Sequence, residues 1–512
     1  MENMVRKYVS RYVIPFYFDY ENDGYNCITS SMKENKYTAD IINQLQMPTD
    51  GKWIENGFWQ DNSKQAEMDI YSYLPNLLKE YSEDNKKFGT NLGKSFIYDS
   101  NGNIFKLKYQ TNKYGNKNID FSCNKIGLLI FKNGVGFIWY DIEFSPQVSI
   151  AEYLAFQHDF KELARTHDDK FTKRIGRNER KDFCLGIWLA QFFSTKELGI
   201  QFWAERVHIG LDNKVEMRIP DKALLFQYVF LTETNKFENS DMAFRIANGY
   251  DLKYNAPEDI NINTYQPFGN TCFYTSKSGT AYVVSDKNSN YDFFRNGFSE
   301  KFTRDYFFMY ILLLYQNYSC AHYSRLLTKL PAEINVISMR NLESLESLNS
   351  QIDLFLVKSI FESVSNVQHQ NGFYQYSKTR LCIENDIKSI TVGLDSLRGM
   401  VKENYSKIEA EKEKEKVRIQ REREEAEEEK EKQKLKLQSK KERKLNLVLS
   451  GFGILTIISI LLDSLNLINW FTKDGNSLHA GHITILVFIG VITIMTIGVI
   501  LKSWFTKKEK EE

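Results

Sequence analysis

Apolar residues fall along this chain in three successive rhythms. Up to about Thr303 they come as short runs of aromatic and β-branched residues, separated by Asn-rich, Gly-containing loops. In IGLLIFKNGVGFIWYDIEF (Ile126 to Phe144), two such runs flank Lys132-Asn133-Gly134. Asn-Gly supplies the positive φ of a tight turn, so this segment predicts a β-hairpin. The opening MENMVRKYVSRYVIPFYFDY has only a short apolar run, interrupted by Pro15 and Asp19. That pattern predicts a first strand rather than a signal peptide. FCLGIWLAQFF, KALLFQYVFLTE and TAYVVSD read as further core elements. Residues 1–303 are therefore expected to form a cytosolic α/β or α+β sensor domain.

The second rhythm is helical. RDYFFMYILLLYQNYSCAHYSRLLTKLP, Arg304 to Pro331, is too long for a strand and meets no breaker before Pro331. Gln316, Asn317, His322 and Arg325 leave only Tyr306 to Tyr315 free of strongly polar groups. A span needs about 20 apolar residues, so a core helix is expected. Leu354, Val357, Ile360, Phe361 and Val364, then Ile387, Ile390, Leu394 and Leu397, recur at helical steps. They predict an amphipathic pair with a break near Asn371-Gly372, within a helical domain over 304–400.

The third rhythm begins as almost pure charge. Lys407 to Lys444 contains no Gly or Pro, and Glu409/Lys412, Glu411/Lys414, Glu415/Arg418, Glu427/Lys430 and Glu431/Lys434 repeat at steps of three. Each such pair adds a few tenths of a kcal/mol to a helix. Ile408, Val417, Ile419, Leu435 and Leu437 are too sparse for a coiled-coil seam. The alternatives are a solvated linker and a stalk helix over 401–444. No breaker precedes the apolar residues that follow, which favours one helix from Gln375 to Leu462, on the order of 130 Å at ~1.5 Å per residue.

Leu445 to Ile468 and Ile483 to Leu501 are of bilayer length, within two transmembrane helices over 445–505. The loop 470–482, WFTKDGNSLHAGH, would join them, leaving a tail at 506–512. Lys440, Lys441, Arg443 and Lys444 precede the first span and Lys502, Lys507 and Lys508 follow the second, whereas the loop offers Lys473. The positive-inside rule then places both ends in the cytoplasm. His479 and His482 in the loop could hold a metal or have no function. The first span also carries Asn446, Ser450, Gly453, Thr456, Ser459, Asp463 and Asn466, at steps of three and four. Lipid penalises such groups, so they should face protein or water. The stripe packs helix against helix, or several copies line a pore in which Asp463 forms a ring of carboxylates that attracts cations.

Composition narrows the function classes. The chain has 512 residues, 42% of them hydrophobic, and a formal net charge of +1. It is long enough for several domains and has no global positive field for nucleic acid, so no direct nucleic-acid partner is expected. Cys27, Cys123, Cys184, Cys272, Cys320 and Cys382 form no CxxC pair and read as reduced, mostly buried thiols. No Walker loop, GxGxxG, HExxH or GxSxG is present, so no enzyme activity and no catalytic residue is expected. His158-Asp159 and His167-Asp168-Asp169 suggest an HD-type metal site, but no further histidines complete the pattern, which favours surface polar residues. The cluster Lys170, Lys173, Arg174, Arg177, Arg180 and Lys181 could contact an anionic ligand, or be a solvated or inter-subunit basic face.

The order of these segments resembles the CorA family of divalent-cation channels, from Arg304 onward by pattern and before it by position. The resemblance implies a homopentamer in the bacterial inner membrane, with the stalk and first span around a central pore. CorA transporters carry a Gly-Met-Asn triplet where the first span meets the loop; here that place reads LLDSLNLINWF, with Asn466 or Asn469 as the nearest imitation. The departure resembles the CorA-like branch that accompanies type III CRISPR systems as an antiviral membrane effector. That branch implies gating by SAM-AMP (adenylylated S-adenosylmethionine), a nucleotide second messenger. A magnesium or other divalent-cation transporter, and a membrane-tethered sensor or scaffold without a pore, are the other expectations.

Overall fold

The computed structural model describes residues 5–18, 24–34, 51–55, 69–71, 74, 77, 92–100, 105–111, 117–144, 148–164, 171–175, 179–182, 184–193, 196–209, 216–231, 238–285, 293–334, 339–473 and 480–508. The chain divides into two compact units, Met1–Asn404 and Tyr405–Glu512. The described strands are β1 (Val5–Tyr17), β2 (Lys52–Glu55), β3 (Gly93–Asp99), β4 (Phe105–Thr111), β5 (Lys117–Phe131), β6 (Val135–Phe144), β7 (Phe171–Ile175), β8 (Glu179–Asp182), β9 (Gln201–Phe202), β10 (Glu205–Ile209), β11 (Glu216–Pro220), β12 (Leu224–Leu231), β13 (Thr271–Ser276) and β14 (Gly279–Ser285). The helices are α1 (Gly24–Glu34), α2 (Ile150–Phe160), α3 (Leu185–Phe192), α4 (Asn239–Asn248), α5 (Phe307–Ile334), α6 (Met339–Ser359), α7 (Gln368–Arg380), α8 (Ile383–Lys473) and α9 (Ala480–Lys508).

In the first unit a mixed sheet runs in the order β13-β14-β12-β1-β6-β5-β4-β7-β8; off this path β3 pairs with β5 and carries β2, and β9 pairs with β1. Every pairing is antiparallel except β12 with β14. That parallel pair needs a long crossover, which α4 and β13 occupy. The predicted hairpin forms: β5 and β6 pair Ile130 with Gly136, and Gly134 takes φ 86 in the turn.

Side chains alternate across the sheet with period two, and both faces are covered. Tyr12, Ile14, Phe16, Ile138, Tyr140 and Val229 lie in a core shared with α2, α3 and α4. Val13, Phe137, Trp139, Phe226, Tyr228 and Tyr282 lie in the opposite core with α5, α6, α7 and the start of α8. Two buried faces explain why these strands read as nearly continuous apolar runs. Residues 304–400, expected as a separate helical domain, thus belong to the same unit as the sheet.

Pro15 sits inside β1 without breaking it. Pairing with β12 stops at Val13, so the missing N–H falls where no ladder partner is needed. The Arg304 to Pro331 segment is a core helix as expected: every residue from Tyr306 to Tyr315 is buried. Its polar residues cross-link the helical layer. Gln316 Nε2 donates to Ser359 O at 2.6 Å and to Tyr374 Oη at 3.0 Å, and Asn317 Nδ2 donates to Asp386 Oδ2 at 3.0 Å. The helix continues past Pro331 to Ile334.

The expected break at Asn371-Gly372 does not occur; both residues lie inside α7. The breaks fall at 360–367 and at Leu381-Cys382, where Cys382 takes φ 60. The long helix accordingly starts at Ile383 rather than Gln375 and ends at Lys473. Gly372 is there for close packing: a Cβ on it would lie 2.1 Å from Tyr265 Oη. Gly372→Val should therefore destabilise the first unit by about 1–3 kcal/mol through overpacking. A lower thermal midpoint of the full chain in detergent, largely restored by Tyr265→Ala in the same chain, would report that cause.

In the second unit, Tyr405 to Lys473 continues as helix, about 100 Å at ~1.5 Å per residue. Its charged stretch carries exposed ion pairs over two turns: Arg418 meets Glu415 at 2.7 Å and Glu422 at 3.6 Å. The same helix contains an 18-residue window of mean hydropathy 2.3, none of it buried. It is the one described helix long and apolar enough to cross a membrane. Ile483–Val499 on α9 is a shorter apolar stretch.

Candidate functional site

All seven polar and small residues of the apolar segment lie on α8. Asn446, Ser450, Thr456, Ser459, Asp463 and Asn466 are exposed and Gly453 is half-buried. Two of the hydroxyls hydrogen-bond to their own helix: Ser450 Oγ donates to Asn446 O at 2.8 Å and Thr456 Oγ1 to Phe452 O at 2.7 Å. Such back-bonding lowers the cost of a hydroxyl in apolar surroundings.

The seven residues do not form one straight line. At about 100° per residue, Asn446, Ser450 and Gly453 fall within about 60° of one another. Thr456, Ser459, Asp463 and Asn466 fall within about 80° of one another, centred roughly 125° further round the helix. Even a left-handed supercoil with a 3.5-residue repeat, which drifts about 20° per seven residues, removes only part of that offset. A single axis can be faced by one patch or the other. The patch with Asp463 carries the charge; the patch with Gly453 carries the small residues suited to close helix packing.

Of the basic cluster, Lys173 and Arg174 lie on β7 and Arg180 and Lys181 on β8, the strand that ends the path. Lys173 pairs in register with Lys181 and Arg174 with Arg180. Arg177 and Lys170 lie outside the described residues.

His158 and Asp159, expected at the surface, are on α2 within the fold. Asp159 is 2% exposed, and His158 Nδ1 lies 2.9 Å from Gly249 O. No metal-binding group of three or more His, Cys, Asp or Glu side chains occurs among the described residues. His167, Asp168, Asp169 and His479 lie outside them, and His482 falls on α9 rather than in a loop. Cys27 and Cys382 are exposed, Cys184 is half-buried, and Cys123, Cys272 and Cys320 are buried.

Sequence reading missed a cavity of about 700 Å³ in the first unit, where the sheet edge, the approach to α5 and the start of α7 meet. Its aromatic wall comes from Phe268, Phe293, Phe294, Phe298 and Tyr306. Two π-helical turns, Phe293–Gly297 and Phe302–Tyr306, bracket the single α-helical turn Phe298–Lys301. π-helical turns recur at functional sites. Here they keep Phe298, Phe302 and Tyr306 in a ladder, with Phe302 and Tyr306 stacked at 5.9 Å.

The other wall is polar. Lys301 forms an ion pair with Asp69, and Gln370 Nε2 donates to the same carboxylate oxygen at 3.2 Å. The Gln370 carbonyl accepts from Ser365 Oγ at 2.9 Å. The His369 ring lies 5.3 Å from that of Phe268. Burial, reinforced by the Lys301 charge and opposed by Asp69, pushes the His369 pKa down, so its imidazole is neutral at pH 7. Tyr306 is fully buried, and its hydroxyl has no hydrogen-bond partner among the described residues. Burial pushes its pKa well up, which keeps the hydroxyl protonated.

No protein-family model matches the chain, and no curated protein matches it.

Proposed function

We propose that this chain is a homo-oligomeric membrane channel, CorA-like in plan and pentameric, that opens when a nucleotide second messenger binds its cytosolic unit. The observation that carries the reading is α8, one helix that includes both the charged stretch and a wholly unburied apolar window. A helix without Gly or Pro from Val401 to Ser450 is suited to passing a rotation or shift into the bilayer. Exposed apolar surface over that window supports lipid and neighbouring copies as its surroundings.

In this reading Thr456, Ser459, Asp463 and Asn466 face the pore, and Asn446, Ser450 and Gly453 pack against the next helix. Ile483–Val499 forms the outer, lipid-facing span of a hairpin, with both chain ends cytoplasmic in a bacterial inner membrane. The messenger is SAM-AMP, and the channel is an antiviral effector of a type III CRISPR system that permeabilises the membrane. The basic cluster Lys173, Arg174, Arg177, Arg180 and Lys181 supplies positive charge for the messenger's phosphate.

The test is ion flux from liposomes holding the purified full chain, with SAM-AMP and magnesium varied separately. Flux only with SAM-AMP is the expected result, and Asp463→Ala should lower cation conductance severalfold. Ser459→Leu should narrow the path and cut flux further. Flux that follows magnesium alone would make the protein a divalent-cation transporter. Silence in every condition, with Asp463→Ala and Ser459→Leu without effect in cells, would leave a tethered scaffold.

A further inference from the structure

We infer that the aromatic cavity of the first unit seats a neutral, flat heteroaromatic ring of the purine type, held between exposed phenylalanines and hydrogen-bonded by Tyr306 and His369. The inference deepens the ligand-gated reading and rests on it only for its consequence, since binding itself is measured separately.

Three observations converge. The first is unfilled aromatic surface. Phe268 and Phe293 line the cavity yet are 43% and 53% exposed, whereas the residues behind them, Phe298 and Tyr306, are buried. Exposed rings at the mouth of a cavity whose floor is also aromatic offer stacking surface to a planar group. The second is the Tyr306 hydroxyl, buried and without a partner among the described residues. Native proteins seldom leave such a group unmet, and a ring nitrogen or an exocyclic amine of a purine can meet it. The third is the charge balance. Lys301 is neutralised by Asp69, and His369 is neutral, so the polar wall offers hydrogen bonds without a net field.

That balance selects among ligands. A fatty chain would leave the polar wall unused. A bare phosphate would find the one ammonium already paired. A purine nucleoside uses both walls: its base stacks on Phe268 and Phe293, its edge meets Tyr306 and His369, and its ribose hydroxyls reach the donors of Lys301 that Asp69 does not use. A volume of about 700 Å³ lies within the usual range for small-molecule sites.

The experiment is calorimetric titration of the full chain in detergent with adenosine, and with ribose 5-phosphate as a probe that lacks the base. Adenosine should bind and ribose 5-phosphate should not. Phe268→Ala and Phe293→Ala, both at partly exposed positions, should each weaken adenosine about tenfold or more. Tyr306→Phe, which removes one oxygen and keeps the ring, should weaken it severalfold. Absence of adenosine binding, or undiminished affinity in both phenylalanine variants, would overturn the assignment. Flux measured on the same variants separates the two readings. If adenosine does not bind and SAM-AMP opens the wild type and both variants alike, the cavity assignment falls and the channel stands. If the variants lose adenosine and no preparation conducts, the channel falls and the cavity stands.

Discussion

Arg11→Met should lower the stability of the first unit by about 3 kcal/mol. Arg11 is 4% exposed and points from β1 into the core beneath α5. Its guanidinium sits between two rings, 4.1 Å from the centroid of Trp139 and 4.1 Å from that of Phe307. Nε and Nη2 donate to the two oxygens of Asp141 at 2.6 and 2.7 Å, and Nη1 donates to Thr303 O at 3.0 Å. Arg11 and Asp141 are direct partners in the β1–β6 register. One side chain thereby ties two central strands to the entry of the core helix. Methionine fills similar volume but leaves the carboxylate and the Thr303 carbonyl unmet. Asp141, at 19% exposed, recovers some water, which places the loss at the lower end of the range for broken buried pairs. The thermal midpoint of the full chain checks the loss. Arg11→Met with Asp141→Leu should recover much of it, because no buried charge is then left alone. Arg11→Lys should not, since an ammonium can neither grip both oxygens nor stack flat between the rings.

Gly127→Val should cost about 3 kcal/mol or more through the same region. Gly127 on β5 is the register partner of Trp139 on β6. A Cβ at Gly127 would lie 2.1 Å from Cε2 and 2.2 Å from Nε1 of the indole. That contact is with the body of a ring, not the end of a mobile side chain, and the ring is fixed by Arg11 and by Phe307 at 5.6 Å. Valine must therefore expel Trp139 from its place, and with it the aromatic support of Arg11. Near-ultraviolet circular dichroism should lose tryptophan signal at temperatures where the far-ultraviolet helix signal persists. Combined with Arg11→Met, the two losses should sum to less than their separate values, because both dismantle one contact.

These two positions show what a one-dimensional reading can and cannot reach. The β5–β6 hairpin was legible because its turn chemistry is local, and α5 because apolar density and length leave one reading. Residues 401–468 were legible as helix because no Pro interrupts them, but the helix runs on to Lys473, through Trp470 to Lys473 that were read as the start of the loop. The break near Gly372 was misread because glycine serves two purposes. In isolation it weakens a helix; here it makes room for Tyr265, a residue remote in sequence. The strand order was out of reach for a related reason: β1 pairs with β6 and β12, which only the folded chain brings beside it. The cavity was hidden in the same way. Phe268, Phe293, Tyr306 and His369 come from four separate segments, and each alone looks like ordinary core or loop. The polar residues of the apolar segment were legible as a set, and once the helix is given their spacing divides them into two faces.

The pairing of β1 with β12 also sets a timetable for synthesis. The two strands are separated by about 200 residues, so β1 leaves the ribosome ten seconds or more before its partner at roughly 5–20 residues per second. During that interval the edge that β12 will cover is a template for other chains, because β6 pairs along the opposite edge of β1. The apolar window of α8 is made later still, after the strands and α5 that complete the first unit. The nascent chain therefore has time to close its sheet before the apolar window of α8 is exposed.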